Sequence, residues 1–316
     1  MKRCLITGVT GFVGSYLAEF LLNKGYDVYG TIRWRSRMEN IEHIKDKLIL
    51  MEADIRDAHS MEELIREVKP GFIYHLAAQS YVPASFTAPI DVMETNLHGT
   101  INILEAVRKF SPQTRMLTAG SSEEYGLVYP DEIPIKESNE LRPQSPYAVS
   151  KVGQDKISLM YARAYDLKVM VSRAFNHEGV RRGDVFVTQV IAKQAAEIKK
   201  GKRKYFTLGN LAAKRDFSDV RDIIRGYHLI VTKGKPGEVY NLGSGKAISI
   251  KELVNMISEI AGIPNKVVND PSRMRPADVP ILLCDYSKIK RELGWVPRIP
   301  FSQTIKEMYE WWMGKI

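Results

Sequence analysis

The first half of the chain alternates short apolar runs with longer segments whose apolar residues recur at helical spacing. The longer segments predict amphipathic helices, among them 60–68 and 97–108. Strands that alternate with helices at this spacing are typical of a parallel sheet covered by helices on both faces. The pattern therefore predicts an α/β fold with a doubly wound parallel sheet, whose strands include the apolar runs 3–7, 27–32, 48–52, 72–76 and 116–120.

The second half of the chain changes character and has no internal repeat or low-complexity segment. Two amphipathic helices are predicted near its end, at 286–295 and 304–312, and the tryptophans of the second one are expected to pack against the body of the protein. Asp216 and Asp219 are interpreted as helix caps or buried acceptors in loops. Neither aspartate is therefore a candidate catalyst.

A glycine-rich turn separates the first predicted strand from the first predicted helix. It reads Gly8-Val-Thr-Gly11-Phe-Val-Gly14, and this Gly-x-x-Gly-x-x-Gly spacing is typical of a turn that holds a pyrophosphate against a helix N-terminus. The alternative is a tight turn that only packs the helix on the strand. The candidate phosphate-binding residues are Gly8, Thr10, Gly11, Phe12, Val13 and Gly14.

A tyrosine and a lysine stand four residues apart in the sequence Tyr147-Ala-Val-Ser-Lys151. On a helix they share one face, so the ammonium can reach the surroundings of the phenol and hold part of its population as phenolate. Ser121 and Glu123 follow the strand at 116–120 and are expected to meet this helix. The four residues form the candidate catalytic set, although a Tyr-x-x-x-Lys pair alone also arises by chance on helix surfaces.

Basic residues follow the second predicted strand, where a sheet that binds NAD usually presents an acidic residue. Arg33 and Arg35 favour the 2′-phosphate of NADP, and the alternative is a solvated basic loop. Asp54 follows the third strand and could equally cap a helix. His75, at the end of the fourth strand, is interpreted as a packed core residue.

The glycine turn, the Ser/Tyr/Lys set and the length of 316 residues resemble the extended short-chain dehydrogenases/reductases. Within that superfamily the chain is most similar to the GDP-mannose 4,6-dehydratases and to their sister GDP-4-keto-6-deoxymannose reductases. The resemblance implies a Rossmann-type doubly wound sheet with a smaller, mixed α/β C-terminal substrate-binding domain. It implies an NADP-binding domain over 1–175 and a mainly nucleotide-sugar-binding region over 176–316, with segments at about 205–245 that return to the first domain.

The resemblance also implies contacts with NADP. The Asp54 position bonds the adenine and Ile55 packs against it, while the loop 33–40, with its aromatic Trp34, lies near the cofactor phosphate and takes part in subunit contacts. Small residues after the fourth strand let the backbone approach the cofactor. Beyond the glycine turn, the cofactor-binding residues implied are Arg33, Arg35, Asp54, Ile55, Leu76, Ala77, Ala78, Ser80, Tyr147, Lys151, His177 and Arg182.

Substrate contacts are implied mostly in the second half. Arg215 and Arg275 lie on predicted connecting segments, where two arginines can bind a diphosphate. Each could instead form a surface ion pair, but the resemblance favours the diphosphate. The consecutive run Asn176-His177-Glu178 lacks metal-ligand spacing, so no metal site is predicted. The substrate-binding residues implied are Ser80, Glu123, Asn176, Val187, Lys193, Arg215 and Arg275.

The activity implied is oxidation of a GDP-sugar at C4, elimination of water across C5 and C6, and return of the hydride to C6. Tyr147, Ser121 and Lys151 serve the oxidation, and Glu123 serves the elimination. The dehydratases usually carry Thr-x-Glu, whereas this chain has Ser121-Ser122-Glu123, as some of the reductases do. An NADPH-dependent reductase therefore remains the main alternative. A nucleotide-sugar epimerase and an inactive NADP-binding scaffold remain as further alternatives.

Composition adds expectations about partners and compartment. The net charge of +9 is scattered along the chain without a nucleic-acid motif, so neither nucleic acid nor membrane is an expected partner. Cys4 and Cys284 lie in apolar runs and are interpreted as buried thiols of a reducing compartment. With no signal peptide and no apolar run near 18 residues, a cytoplasmic location is expected. The assembly expected is a homodimer or homotetramer.

Overall fold

A computed structural model describes residues 2–273 and 279–316. Within these ranges, seven strands form one parallel sheet in the order β3-β2-β1-β4-β5-β6-β10. Parallel strands require crossover helices, and the alternation in the sequence supplies them. The predicted doubly wound fold is confirmed. The strands of this sheet are β1 (Arg3–Thr7), β2 (Asp27–Ile32), β3 (Ile49–Glu52), β4 (Phe72–His75), β5 (Arg115–Ser121), β6 (Lys168–Ala174) and β10 (Val239–Leu242).

Helices cover both faces of this sheet because successive strand residues point to opposite sides. Leu5 of β1 belongs to the core under α2, α5 and α6, whereas Ile6 belongs to the core under α1 and α8. The α-helices are α1 (Phe12–Asn23), α2 (Ala58–Val68), α3 (Val82–Thr87), α4 (Pro89–Met93), α5 (Gly99–Phe110), α6 (Pro146–Tyr165), α7 (Val187–Lys199), α8 (Val220–Lys233), α9 (Ile250–Ala261), α10 (Ser287–Leu293) and α11 (Phe301–Lys315).

The predicted elements agree with the structure to within a few residues, and the differences have local causes. The helix predicted at 97–108 is preceded by a π-helical turn, Glu94–His98, before α5 begins. The last helix is longer than the predicted 304–312 because a proline, Pro300, precedes its first turn and its apolar positions continue beyond 312. No helix in the described ranges is long and apolar enough to cross a membrane.

The second half of the chain adds a separate core and also extends the first sheet. Helices α7, α9 and α11 pack around a third apolar core, next to short strands. β10 pairs with β6, and α8 packs against the face of the sheet that carries α1. The short strands are β7 (Asn176–Glu178), β8 (Phe206–Leu208), β9 (Lys214–Asp219), β11 (Ala247–Ser249), β12 (Val267–Asn269) and β13 (Ile281–Leu282).

The polar residues expected to be structural in this half have structural partners. Asp219 caps α8 by accepting the N–H of Arg221 at 2.8 Å. Asp216 accepts from the backbone of Ser244 and Gly245, at 2.6 and 2.8 Å. Trp312 is buried in the third core and its indole N–H donates to Gln189. The predictions for these residues are confirmed.

His75, the last residue of β4, is fully buried between β1 and α5. Oγ1 of Thr7 accepts from the N–H groups of Leu76 and Ala77, so its own hydrogen is donated to Nδ1 of His75 at 2.9 Å. Nε2 is then the protonated nitrogen and donates to Thr100 Oγ1 at 3.0 Å. His75 is therefore a structural residue, as predicted, and a neutral ring satisfies both of its bonds.

We expect His75→Gln to reduce the acid sensitivity of folding. Burial lowers the pKa of His75 to about 3 from 6.5, so between these values the unfolded chain binds a proton that the folded one excludes. Stability from this residue is complete above pH 6.5 and is lost as the pH falls, by up to about 1.4 kcal/mol per pH unit. Between pH 6 and pH 4, the free energy of unfolding measured with denaturant should change less steeply with pH in the variant. The difference in slope should correspond to about one proton.

The exposed His59 of α2 offers the matched control. The variant His59→Gln should keep the wild-type dependence of the free energy of unfolding on pH. A wild-type slope in His75→Gln would contradict the protonation state assigned to the buried ring.

Candidate active site

The glycine turn lies where the strand order reverses, between β1 and β4, which is the usual ligand-binding position of such sheets. Gly8 has a positive φ of 74°, and a Cβ there would lie 3.1 Å from the Cα of Ala77. A Cβ on Gly14 would lie 2.3 Å from the carbonyl oxygen of Gly8. Gly11 precedes α1 and has no side chain to cap it. The close backbone packing and the uncapped helix N-terminus fit a dinucleotide pyrophosphate.

A cavity of about 550 Å³ opens beyond the ends of β2 and β3. Of the two arginines predicted to meet a 2′-phosphate, Arg33 lines this cavity. Asp54 also lines it, and the guanidinium of Arg56 binds both of its carboxylate oxygens. This hydrogen bonding holds the pKa of Asp54 below its ordinary value. The lining of the cavity therefore combines the guanidinium groups of Arg33 and Arg56 with the carboxylate of Asp54, and it also includes Trp34.

Two further residues predicted to contact the cofactor lie near this cavity in the sequence but have different surroundings. Ile55 is buried, and a Cβ on Gly99 of α5 would lie 2.7 Å from its Cδ1. Arg35, with a φ of 61°, stands on the exposed loop after β2. Neither residue is among those lining the cavity.

The segment after β4 passes directly over the glycine turn. The N–H groups of Leu76 and Ala77 each donate to Thr7 at 3.1 Å. Further along, Asn96 of the π-helical turn exchanges two hydrogen bonds with the backbone of Gln79 and donates to Ser150 of α6 at 2.8 Å. The segment that contains Leu76, Ala77, Ala78 and Ser80 is thereby fixed between the glycine turn and α6.

The tyrosine and the lysine lie one turn apart near the beginning of α6. Ser145 caps this helix by accepting the N–H of Ala148 at 3.1 Å. The side chains of Tyr147 and Lys151 are buried, at 8% and 4% exposure. Burial raises the pKa of Tyr147 above its ordinary value, a hydrogen bond with Ser121 lowers it, and the charge of Glu123 raises it further. The predicted catalytic set of four is therefore assembled in one place.

The lysine differs from the expectation in what it binds. Its Nζ donates to the carbonyl of Ala119 at 2.8 Å and to Oε1 of Gln154 at 2.7 Å, and it lies 5.9 Å from the centre of the Tyr147 ring. The direct bonds of the ammonium therefore go to neutral acceptors, and it acts on the phenol only as a charge at a distance.

Residues of β7 and of the segment that follows it contact Phe12 of the glycine turn. The ring of His177 stacks on Phe12 at 6.3 Å, and burial lowers the pKa of His177 to about 4. The guanidinium of Arg182 lies 4.0 Å from the centre of the Phe186 ring and donates to the carbonyl of His177. Two of the predicted cofactor contacts are thus next to the glycine turn, held by aromatic packing that the sequence pattern did not indicate.

The residues predicted to bind the nucleotide sugar are spread over several elements. Asn176 begins β7, and Val187 is the exposed first residue of α7. Lys193 pairs with Asp184 at 3.0 Å. Arg215, buried in β9, donates to the carbonyl of Val279 at 2.7 Å. Ser80 is exposed beyond β4, and Arg275 lies outside the described residues.

A buried ionic cluster lies where α6 packs against β5 and β6, and it was not predicted. It consists of Glu124, Lys151, Asp155 and Arg173, contributed by the turn after β5, by α6 and by β6. The only signal in the sequence was that Lys151, Asp155 and Arg173 are charged residues inside helical or apolar segments. This signal does not specify which of them form ion pairs with each other. We refer to these four residues as the buried ionic cluster.

Comparison with known proteins assigns the family. A family model described as GDP-mannose 4,6 dehydratase matches residues 5–308. The chain belongs to the GDP-mannose 4,6-dehydratase family. Relatives of this family include GDP-mannose 4,6-dehydratase of Yersinia enterocolitica, 36% identical over 98% of this chain and 93% of the relative, and GDP-mannose 4,6 dehydratase 2 of Arabidopsis thaliana, 37% identical over 98% and 86%. The predicted resemblance is confirmed.

Solved structures give the same fold with bound cofactors. RMD from Pseudomonas aeruginosa, complexed with NADPH, is 29% identical, with a TM-score of 0.87 over 100% of both chains. The dTDP-glucose 4,6-dehydratase DesIV from Streptomyces venezuelae, with NAD bound, is 27% identical, with a TM-score of 0.88 over 99% of this chain and 97% of that one. The family member described here is therefore similar over its whole length to proteins that hold a nicotinamide cofactor.

Proposed function

We propose that this protein converts GDP-mannose to GDP-4-keto-6-deoxymannose by removing one molecule of water, with NADP as its cofactor. The observation that carries the proposal is the match of residues 5–308 to the family model described as GDP-mannose 4,6 dehydratase. The site supports it, because the charge of Glu123 raises the pKa of the Tyr147 phenol, which means that an acid–base group for the elimination lies near the group for the C4 oxidation.

The surroundings of the glycine turn support a bound NADP. The uncapped α1 and the small residues Gly8 and Gly14 fit its pyrophosphate, and Arg33 in the neighbouring cavity fits its 2′-phosphate. When bound, the nicotinamide supplies hydride transfer and carries a positive charge in its oxidised form.

Proton transfer at C4 would be carried out by Tyr147. Its phenolate would take the proton of the C4 hydroxyl, and the hydroxyl of Ser121 would donate a hydrogen bond to the oxygen that becomes the ketone. Lys151 contributes a fixed positive charge one helical turn away, which favours the ionised phenol. Both supporting groups are buried, so their electrostatic effect is weakly screened.

Elimination would be carried out by Glu123. A ketone at C4 acidifies the proton at C5, which the carboxylate removes, and the same group then delivers a proton to the departing C6 hydroxyl. The position of Glu123 is fixed by its own backbone, whose N–H donates to Oγ of Ser121 at 3.2 Å. Glu123 ends the elimination as it began, and the proton that Tyr147 took from the C4 hydroxyl would go to C5 when the hydride returns to C6, so the enzyme ends the cycle unchanged.

The nucleotide end of the substrate is assigned to the second half of the chain. Arg215 is buried and oriented by its bond to Val279, which suits a guanidinium that grips a diphosphate. We assign the sugar contact to Asn176 and Ser80 and the nucleotide contact to Val187 and Lys193. Arg275, which we assign to the diphosphate as well, lies outside the part of the chain that the structure describes.

The direct test is incubation of the protein with GDP-mannose and a catalytic amount of NADP⁺. The expected product is a GDP-sugar that is lighter by one water, followed by mass spectrometry, and it should form without added NADPH. Failure of this reaction, together with NADPH oxidation when the 4-keto sugar is supplied, would assign the protein to the reductases. Failure of both would contradict a GDP-sugar substrate.

We expect Arg33→Ala to lower the affinity for NADP⁺ by roughly ten- to a hundredfold, since one charge-assisted hydrogen bond is worth about 1.5–3 kcal/mol. Affinity for NAD⁺, which lacks the 2′-phosphate, should change little. Titration of both cofactors by calorimetry measures the ratio. The matched control is Arg66→Ala, at a surface arginine of α2 that pairs with Glu63 and does not line the cavity; its affinity for NADP⁺ should stay near that of the wild type. An equal loss for NADP⁺ and NAD⁺ in Arg33→Ala would contradict the phosphate contact.

We also propose a homodimer or homotetramer in a reducing compartment such as the cytoplasm. Neighbouring helices α4 and α6 carry exposed apolar side chains, with Ile90 72% and Val149 45% exposed, which supports burial against another subunit. Cys4 and Cys284 are free, buried thiols, which is compatible with reducing conditions. Light scattering coupled to size exclusion measures the assembly, and a monomeric mass would contradict it.

A further inference from the structure

The segment between β7 and α7, residues 179–186, reaches across the edge of the large sheet at which the strands end. We refer to these residues as the strap. The chain leaves the sheet at Ala174, the last residue of β6, and β6 is three strands away from β1 in the sheet order, a distance of about 14 Å. The strap nevertheless contacts segments that follow β1, β2 and β4. It therefore spans the position where the strand order reverses.

Arg181 anchors the strap on the side of the glycine turn. Its Nη1 donates to Oγ of Ser15 in α1 and to the carbonyl of Asn40, both at 3.2 Å, and lies 2.7 Å from the carboxylate of Glu19. The guanidinium also packs on the ring of Tyr16, 4.1 Å from its centre. Arg181 has a φ of 74°, a left-handed conformation that non-glycine residues rarely adopt. Because several contacts together hold this conformation, this end of the strap is firmly fixed.

Phe186 closes the strap on the opposite side. Its ring meets the ring of Tyr81, in the segment after β4, edge to face, with 6.0 Å between the ring centres. Both side chains are half-buried. This geometry is favourable for an aromatic pair, but it is weaker than the charge-assisted hydrogen bonding and ion pair of Arg181. The strap therefore opens more readily at Phe186 than at Arg181.

The strap and the segments that it joins surround the predicted cofactor site. The guanidinium of Arg182, within the strap, lies 5.6 Å from the ring centre of Phe12 in the glycine turn and 4.0 Å from that of Phe186. Ser80, which precedes Tyr81, is a predicted contact of both cofactor and substrate. A dinucleotide whose pyrophosphate lies at the N-terminus of α1 would thus lie beneath the strap.

We propose that the contact between Phe186 and Tyr81 closes the strap over NADP, which makes both of them positioning residues that retain the cofactor between its two hydride transfers. In the proposed function, one cofactor molecule accepts a hydride from C4 and returns it to C6. NADPH that left between these steps would leave the 4-keto intermediate without its hydride. The need for retention rests on the proposed function, whereas the closing of the strap is tested by cofactor exchange alone.

The test is the exchange of NADPH, measured by stopped-flow fluorescence in the absence of any sugar. Phe186→Ala should accelerate both association and dissociation of NADPH by roughly two- to tenfold, the factor that the loss of one aromatic pair supplies. Both rates should change because the contact joins two segments of the protein and closes the route in either direction. Tyr81→Ala should have the same effect. The double variant should be no faster than either single variant, since each substitution removes the same contact.

Two further variants serve as controls, and both should exchange NADPH at the wild-type rates. Tyr81→Phe keeps the ring that makes the contact. Tyr165→Ala removes an aromatic contact with Tyr161, with 5.0 Å between the ring centres, at the far end of α6.

Wild-type exchange rates in Phe186→Ala and Tyr81→Ala would overturn the proposal. Faster dissociation with an unchanged association rate constant would also overturn it, because the two side chains would then bind the cofactor directly. The expected exchange rates, together with an absence of turnover of GDP-mannose by the wild type, would contradict the proposed function and leave the closing of the strap supported.

Discussion

Tyr147→Phe is expected to lower kcat for GDP-mannose by about a hundred- to ten-thousandfold, because the phenol is the group that exchanges the C4 proton. The ring itself remains, so packing at the beginning of α6 and the affinity for NADP⁺ should persist. Steady-state kinetics give the loss of turnover, and cofactor titration on the same sample shows that the binding site is intact.

Tyr161 of the same helix provides the matched control. Its hydroxyl donates to Glu105 at 2.6 Å, so Tyr161→Phe also removes one hydrogen bond of a buried tyrosine of α6. Turnover of Tyr161→Phe should remain near that of the wild type. Near-normal turnover of Tyr147→Phe would contradict the proton transfer assigned to this residue.

Glu123→Gln is expected to stop the elimination while C4 oxidation continues. An amide cannot take the C5 proton, so formation of the dehydrated product should fall by about a hundredfold or more. In D₂O the wild type should introduce deuterium at C5 of the product, and the variant should lose this exchange together with turnover. Quenched reactions analysed by mass spectrometry measure both quantities.

A neighbouring glutamate serves as the control for this substitution. Glu132 binds Arg142 at 2.8 Å on the loop before α6, where its carboxylate is partly exposed. Glu132→Gln should keep the wild-type rate of water loss. A wild-type rate in Glu123→Gln would contradict its role as the acid and base of the elimination.

The parts of the site that could be predicted are those encoded by neighbouring residues. The glycine turn follows from three glycines within seven positions, and the Tyr147–Lys151 pair follows from helical spacing. The positions of the strands could also be predicted, because the apolar runs are short and bounded by polar segments. The predicted run 116–120 lies within β5, which adds one residue at each end.

The parts that could not be predicted depend on contacts between distant segments. Glu124 and Arg173 are 49 positions apart and meet only because β5 and β6 are adjacent in the sheet. The partners of Lys151 depend on how deeply α6 packs, which no pattern of apolar residues specifies. The π-helical turn that carries Asn96 overlaps only the first two residues of the helix predicted at 97–108, and the spacing of apolar residues gave no indication of it.

The pairing of β10 with β6 has a consequence for synthesis on the ribosome. The strand that completes the edge of the sheet comes from residues 239–242, and α8, which covers the core face beside α1, ends at Lys233. About 60 further residues must therefore be synthesised after β6 before α8 can cover the apolar face of the sheet beside α1. Release of the N-terminal half alone would leave β6 as the edge strand and the apolar side chains under α8 uncovered, and exposed apolar surface of this kind promotes aggregation. Productive folding thus depends on translation proceeding through α8 and β10.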